Sequence, residues 1–319
     1  MTVHLGARLA GVARDGRAIR AIAIEAGERF AARVFIDAGY EGDLLAGAGV
    51  SYTVGRESVS LHGERWAGRQ PIRPDKHNFD VPVSAHVGGN DGPLLPLLHD
   101  RPLVPEGDGD GVVQSYCFRL GLTDVPENRV PFPRPEGYDP ARYEILRRYL
   151  ASAGPRVTLG LLLGLKGRLP RGKVDVNSIG PLSTNLLDGS NRAYPEVSYA
   201  RGAVIRDDHL RYTAGLLFFL AHDPGVPPAM RAEINGWGLC ADDSPTRAAG
   251  RTSSTSARGG DCSGSTTRRS TTFRGGARNT TRWRWGRTTS ISARCSGSAC
   301  RCRASPTWSA KFSTKAICR

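Results

Sequence analysis

The sequence predicts an α/β protein with an α+β middle region, followed by a long stretch without a core of its own. Three observations predict it. Short β-rich runs joined by Asp-Gly and Ala-Gly turns fill residues 7 to 38 and lead into a helix. Two helical patterns, Pro140 to Leu150 and around Tyr199 to Ala221, fall in a middle region that starts at about residue 75. Composition then changes sharply after residue 242. The chain divides accordingly into 1–74, 75–242 and 243–319.

In the first segment, ARLAGVA and AIRAIAIE read as two strands around the turn Arg14-Asp15-Gly16-Arg17, and Ala26-Gly27-Glu28 makes the next turn of a meander. Val34-Phe35-Ile36 is a continuous apolar run of the kind found in buried parallel strands. It ends at Asp37-Ala38-Gly39, and a helix through Leu44 to Ala48 follows. Such a strand-turn-helix lets a ligand approach the backbone at the carboxyl edge of a sheet. Alternatively, Gly39, Gly42, Gly47 and Gly49 only close turns, since no G-x-G-x-x-G stands in a strand-turn-helix context.

In the second segment, the alternation in VVQSYCFRLGLT sets Ser115, Cys117 and Arg119 on one strand face and Tyr116, Phe118 and Leu120 on the other. A helix from Pro140 to Leu150 has Asp139 as N-cap and proline at its first position. A longer helix around Tyr199 to Ala221 carries His209 among Asp207, Asp208 and Arg211, so an exposed position is favoured over a general base. No Ser-His-Asp order, H-E-x-x-H or paired-carboxylate motif stands out, and no metal site is expected.

The chain carries 44 basic and 30 acidic side chains, a net +14 that ordinarily points to an acidic partner. The excess lies entirely beyond residue 242, where 14 Arg and 2 Lys face 2 Asp; residues 1–242 hold 28 of each sign. That last segment has no Leu, Val, Met, Glu, Gln, Tyr or His but five of the seven Cys, which is neither a core nor the usual composition of a disordered tail. With little aliphatic material to offset ordering entropy, it is expected to be disordered. The longest apolar run, Gly215 to Ala221, is too short for a bilayer, and Met1 to Gly16 shows no secretory signal. Cys117 and Cys240 are alone in 1–242, which suits a reducing compartment and a cytoplasmic location.

VFIDAGYEGDLLAGAGVSYTVGRES and the long, idiosyncratic VVQSYCFRLGLTDVPENRVPFPRPEGYDPARYE resemble a large family of FAD-dependent oxidoreductases. These are flavoproteins of the glutathione-reductase type, grouped with heterodisulfide-reductase-A-like proteins and sometimes labelled xanthan lyases. The resemblance spans residues 1–242. It implies a partial FAD/NAD(P)-binding, Rossmann-like domain with a β-meander and an inserted substrate domain. The opening G-x-G-x-x-G unit that such proteins use for the ADP half of FAD is missing ahead of the meander, so the chain reads as a fragment.

By the same resemblance, Asp37, Ala38, Gly39, Glu41, Gly42 and Asp43 belong to the cofactor turn, with Ala38 and Gly39 passing close to FAD. Tyr116, Arg119 and Asn177 fall in the substrate region. Arg119 could hold an anionic or hydroxylated small molecule or make a structural ion pair; for Asn177 an Asx-turn role is favoured over the substrate loop. Cys117 stands where the family usually has Asn and reads as a small buried thiol. A polysaccharide-degrading activity has only the xanthan lyase label behind it.

The stretch NTTRWRWGRTTS, with tryptophans flanking arginine, invites a competing reading as a nucleic-acid or polyanion binder. The family, however, continues past a segment like INGWGLCADD with D-E-F-x-D-T-G-G-W-P-H-Q-L-Y-V-R-E, where this chain has DDSPTRAAGRTSSTSAR. Joining each codon's third base to the first two of the next admits that motif in order. The same operation from Thr280 to Thr289 admits D-S-V-A-V/M-G-S-Y-N. The tail is therefore expected to be out-of-frame translation of a flavoenzyme gene, with a small-molecule substrate, no specific nucleic acid and no membrane as its partners. The polypeptide as given is expected to be inactive and to bind little FAD.

Overall fold

The alternation of small and branched residues around Asp15-Gly16 gives the first hairpin. In the computed structural model, which describes residues 2–73, 77–89, 92–113, 116, 118, 120–176, 180–182, 184–185, 189–242 and the backbone of 289–296 and 299–306, β1 (Leu9–Asp15) and β2 (Ala18–Ile24) pair antiparallel. Leu9 faces Ile24 and Asp15 faces Ala18, with a register shift after Ala13. Gly16 takes the left-handed conformation, φ 58°, that closes the loop without a Cβ clash. β3 (Arg29–Ala31) completes the meander against β2.

Val34-Phe35-Ile36 forms no strand. The segment is assigned to none of the three sheets, and Val34 and Ile36 are 73% and 80% exposed. The expectation of a buried parallel strand is thus corrected: apolar content raises β preference, but burial needs a neighbouring strand and a covering layer, and neither lies beside it among the described residues. The chain passes into α1 (Asp43–Gly47), which lies against β1. A Cβ at Gly47 would come within 2.9 Å of Val12 Cγ2, so glycine permits this approach. Arg14 donates to the Ala48 carbonyl at the far end of α1, at 2.6 Å.

A short helix α2 (Val59–His62) and irregular chain follow, clipped together where Arg56 and Asp110 bridge through their backbones and through a two-pronged ion pair. That guanidinium, with the Val112 N–H, holds the Asp110 carboxyl below the usual carboxylate range.

The main body is built on a second sheet. β4 (Leu120–Thr123), β5 (Arg129–Val130), β6 (Lys166–Leu169), β7 (Lys173–Val176) and β8 (Gly238–Cys240) lie in the order β5-β8-β4-β7-β6, every pair antiparallel. Its core joins Leu122, Val174 and Val176 to buried residues of α3 (Glu144–Ala153), α4 (Leu159–Leu163), α5 (Tyr199–His222) and α6 (Pro228–Asn235).

The starts of these helices follow from the sequence. Asp139 accepts from the Ala141 N–H at 2.9 Å and opens a 3-10 turn, Pro140–Tyr143, that runs into α3. Thr158 and Ser198 cap α4 and α5 in the same way. The fold is mixed helix and sheet, with antiparallel sheets only among the described residues. None of the described helices is long and apolar enough to cross a membrane. Within 243–319 the described feature is a hairpin of β9 (Thr289–Ser296) and β10 (Ala299–Pro306), a sheet of its own inside the stretch expected to be without order.

Candidate functional site

Two places gather polar groups in a way that chemistry could use: the turn before α1 and a cleft in the main body. In the turn, Asp37 accepts from the Gly39 N–H and the Leu45 N–H, each at 3.0 Å. Leu45 is the third residue of α1, so this carboxylate serves one of the helix's four orphan donors from outside the helix. Gly42 is left-handed at φ 67°, which allows the chain to turn into α1. Asp43 accepts from the Tyr199 hydroxyl at 3.1 Å, and burial together with the Asp43 charge pushes that phenol up to about 12. Asp37 and Asp43 thereby act as struts. Ala38 and Gly39 present exposed backbone, and Glu41 is half-buried.

The fit to a whole FAD is poor. Of two cavities among the described residues, neither includes any residue of 37–43, and the larger of the two holds about 210 Å³. Drug-sized ligands occupy about 300–1,000 Å³, and a dinucleotide is bigger. The turn is one exposed wall, and the residues around it do not enclose the cofactor.

Of the substrate-region candidates, Arg119 and Asn177 lie outside the described residues, as do Ser115 and Cys117. Tyr116 is 3% exposed, its ring 4.7 Å from that of Tyr194. It borders a void of about 10 Å³ with Asn191 and His209, the size of one water at most.

His209 is also 3% exposed, and its Nδ1 donates to the Ile205 carbonyl at 3.0 Å, so the expected exposed position is corrected. Its sequence neighbours Asp207, Asp208 and Arg211 point elsewhere. The residues on its own face of α5 are Ile205, Tyr212, Thr213 and Leu216, at helical spacing and all buried.

The cleft brings together residues that sequence reasoning missed. His77, Phe79, Leu97, Leu98 and His99 from irregular chain meet Ile145 of α3 and Tyr212 of α5, with Leu182 and Asn185 opposite. No spacing pattern announces it, because its parts come from loops without periodicity; the scarcity of histidine, seven in the chain, is the one available cue. No group of three or more His, Cys, Asp or Glu among the described residues could hold a metal ion.

No curated protein and no solved structure matches the chain. Residues 1–242 match the sequence profile of the family described as FAD dependent oxidoreductase.

Proposed function

Because the chain belongs to the FAD dependent oxidoreductase family, whose cofactor is FAD, we propose that its gene encodes a flavoprotein that exchanges hydride with a small molecule. The single observation that carries this reading is the family match across residues 1–242. FAD, when bound, supplies the redox chemistry, and the protein supplies position and electrostatics. In the Rossmann-like reading, the exposed backbone of Ala38 and Gly39 lies along the cofactor, Asp37 and Gly42 shape the turn, and Glu41 and Asp43 flank it. Tyr116, Arg119 and Asn177 belong to the substrate side. Since the turn alone does not enclose FAD, no catalytic step is drawn through it.

The same reading makes the polypeptide as given an inactive flavoenzyme with an out-of-frame end. Support comes from the coincidence of three boundaries: the family match stops at residue 242, the charge balance changes there, and the lost family motif can be recovered from the shifted frame. Two measurements test it. Resequencing the locus through codon 319 should restore a frame reading through G-G-W-P-H-Q-L-Y-V-R-E; a confirmed sequence with no such frame overturns the frameshift. The purified 319-residue chain should lack flavin absorbance, whereas protein made from the restored frame with a G-x-G-x-x-G unit ahead of the meander should carry it. Stoichiometric flavin on the present chain overturns the inactivity, and none on the restored protein overturns the flavoprotein reading.

A further inference from the structure

We propose that the cleft between His77 and His99 binds a small neutral alcohol with an apolar body, which on the oxidoreductase reading above would be the substrate's reacting end. Three independent features lead there. The first is shape: the cleft holds about 210 Å³, with Phe79, Leu97, Leu98 and Leu182 as apolar wall. Phe79 is set edge-on to Tyr149 at 5.2 Å, and the Tyr149 hydroxyl donates to Asp80 at 2.8 Å, so the aromatic wall is braced by α3.

The second feature is strain. Among the described residues three non-glycine positions have positive φ, and two of them, His77 at 53° and Leu97 at 71°, line this cleft. Such conformations cost about 1–3 kcal/mol each and concentrate where a site dictates side-chain direction.

The third is the hydrogen-bond polarity of the two imidazoles. His77 Nδ1 lies 3.1 Å from the Gly180 carbonyl, which can only accept, so Nδ1 carries the proton and Nε2 keeps a lone pair. His99 Nδ1 accepts from the Arg101 N–H at 3.3 Å, so in the neutral ring its proton sits on Nε2. The two imidazoles therefore offer one acceptor and one donor, beside the Asn185 amide and Tyr212 that also line the cleft. A hydroxyl group is matched to both, since it can donate to the first and accept from the second. A carboxylate or ether can only accept and makes no bond to His77 Nε2; an ammonium can only donate and makes none to the exposed His99.

The test uses the full 319-residue chain with benzyl alcohol, benzoate and toluene as probes, reading the imidazole proton signals of His77 and His99 by NMR. The seven histidines are assigned by the signals lost in His77→Asn and His99→Phe. Asparagine tolerates the left-handed backbone at position 77, which keeps that variant folded.

Benzyl alcohol should shift both signals saturably and bind at least about fivefold tighter than benzoate or toluene, the factor expected from one net hydrogen bond. Each variant should lose about that factor for benzyl alcohol and leave toluene unchanged. Equal binding of benzoate or toluene, no saturable shift, or unchanged affinity in both variants overturns the proposal. Flavin content, measured separately on the restored-frame protein, keeps the two readings apart. Alcohol binding with no flavin there sinks only the flavoprotein reading, and flavin without alcohol binding sinks only this one.

Discussion

The Tyr199 hydroxyl donates to the Asp43 carboxylate at 3.1 Å, tying the first residue of α5 to the first residue of α1. The Arg8 guanidinium lies over the same tyrosine ring, 5.5 Å from its centroid. The meander, the turn before α1 and the long helix of the main body thus meet at one phenol.

That phenol gives the first prediction. Burial, first, and the Asp43 charge hold Tyr199 up to about 12, above the ordinary value of about 10. The neutral form is the one favoured in the folded protein. Its contribution is therefore complete below about pH 10 and is lost as pH rises toward 12. Ultraviolet titration should find Tyr199 at about 12 in the parent chain. In Asp43→Asn it should move down but stay above the ordinary value, because burial remains. Tyr199→Phe should lower stability by about 1 kcal/mol in urea unfolding. An unmoved phenol in Asp43→Asn would remove the carboxylate from the account.

Arg147 and Asp223 give the second. The guanidinium grips the carboxylate with two bonds, 3.1 Å from Nε and 2.7 Å from Nη2, and the Asp223 side chain is 8% exposed. Asp223 also accepts from the Gly225 N–H, which fixes the turn between α5 and α6. Removing the arginine strands a nearly buried charge, so Arg147→Ala should cost about 3 kcal/mol or more. Adding Asp223→Asn to Arg147→Ala should recover part of that loss, since the stranded charge is gone. A double variant as unstable as the sum of the singles would mean that packing of the arginine stem dominates.

What the sequence makes legible is what local chemistry decides. Asp15-Gly16 closes the first hairpin, and Asp139, Thr158 and Ser198 start helices where a side-chain oxygen can serve an orphan N–H. The failures come from information that is not local. Val34 and Ile36 look like core, but only a covering layer would make them so. His209 looks wet because its sequence neighbours are charged, although residues one helical turn away decide its burial. His77 and His99 meet through two left-handed turns at 77 and 97 that no residue preference calls for, so their cleft could not be read in advance. The strand-turn-helix pattern and the resemblance mark the turn before α1 as a cofactor candidate, whereas the struts made by Asp37 and Asp43 come only with the fold.

Asp242, the last residue of the family match, gives the third prediction. Hydrogen bonds from Lys173, first, and from Asn128 hold its carboxyl down to about 2, with Lys173 Nζ at 2.7 Å. An unfolded aspartate titrates near about 3.9, so this clasp is complete above that pH and is released as pH falls toward 2. Carboxyl NMR titration should show the low value, and Lys173→Met should raise it. If the value persists in Lys173→Met, then Asn128 and Arg171 hold the group unaided.

The last prediction concerns how the 3-10 turn Pro140–Tyr143 approaches α5. Tyr143 is buried, and its hydroxyl donates to the Tyr212 carbonyl at 2.8 Å after passing directly over Gly215. Burial drives that phenol far up, which favours the neutral, donating form. A Cβ at position 215 would collide with the hydroxyl, while the next ring atom, Cζ, would lie 3.1 Å away. Gly215→Ala on its own should gain about 1 kcal/mol from helix propensity yet lose about 1–3 kcal/mol to overpacking, and so destabilise or at best break even. Tyr143→Phe should cost about 1 kcal/mol through the lost bond. Together they should couple: in the Tyr143→Phe background the obstructing oxygen is gone, and Gly215→Ala should become less destabilising, with the ring carbon Cζ and Tyr138 Cδ2, 3.1 and 3.3 Å from the new Cβ, still close. A double-mutant cycle in urea measures this directly, and strict additivity of the two changes would show that the oxygen does not set the spacing between the turn and α5.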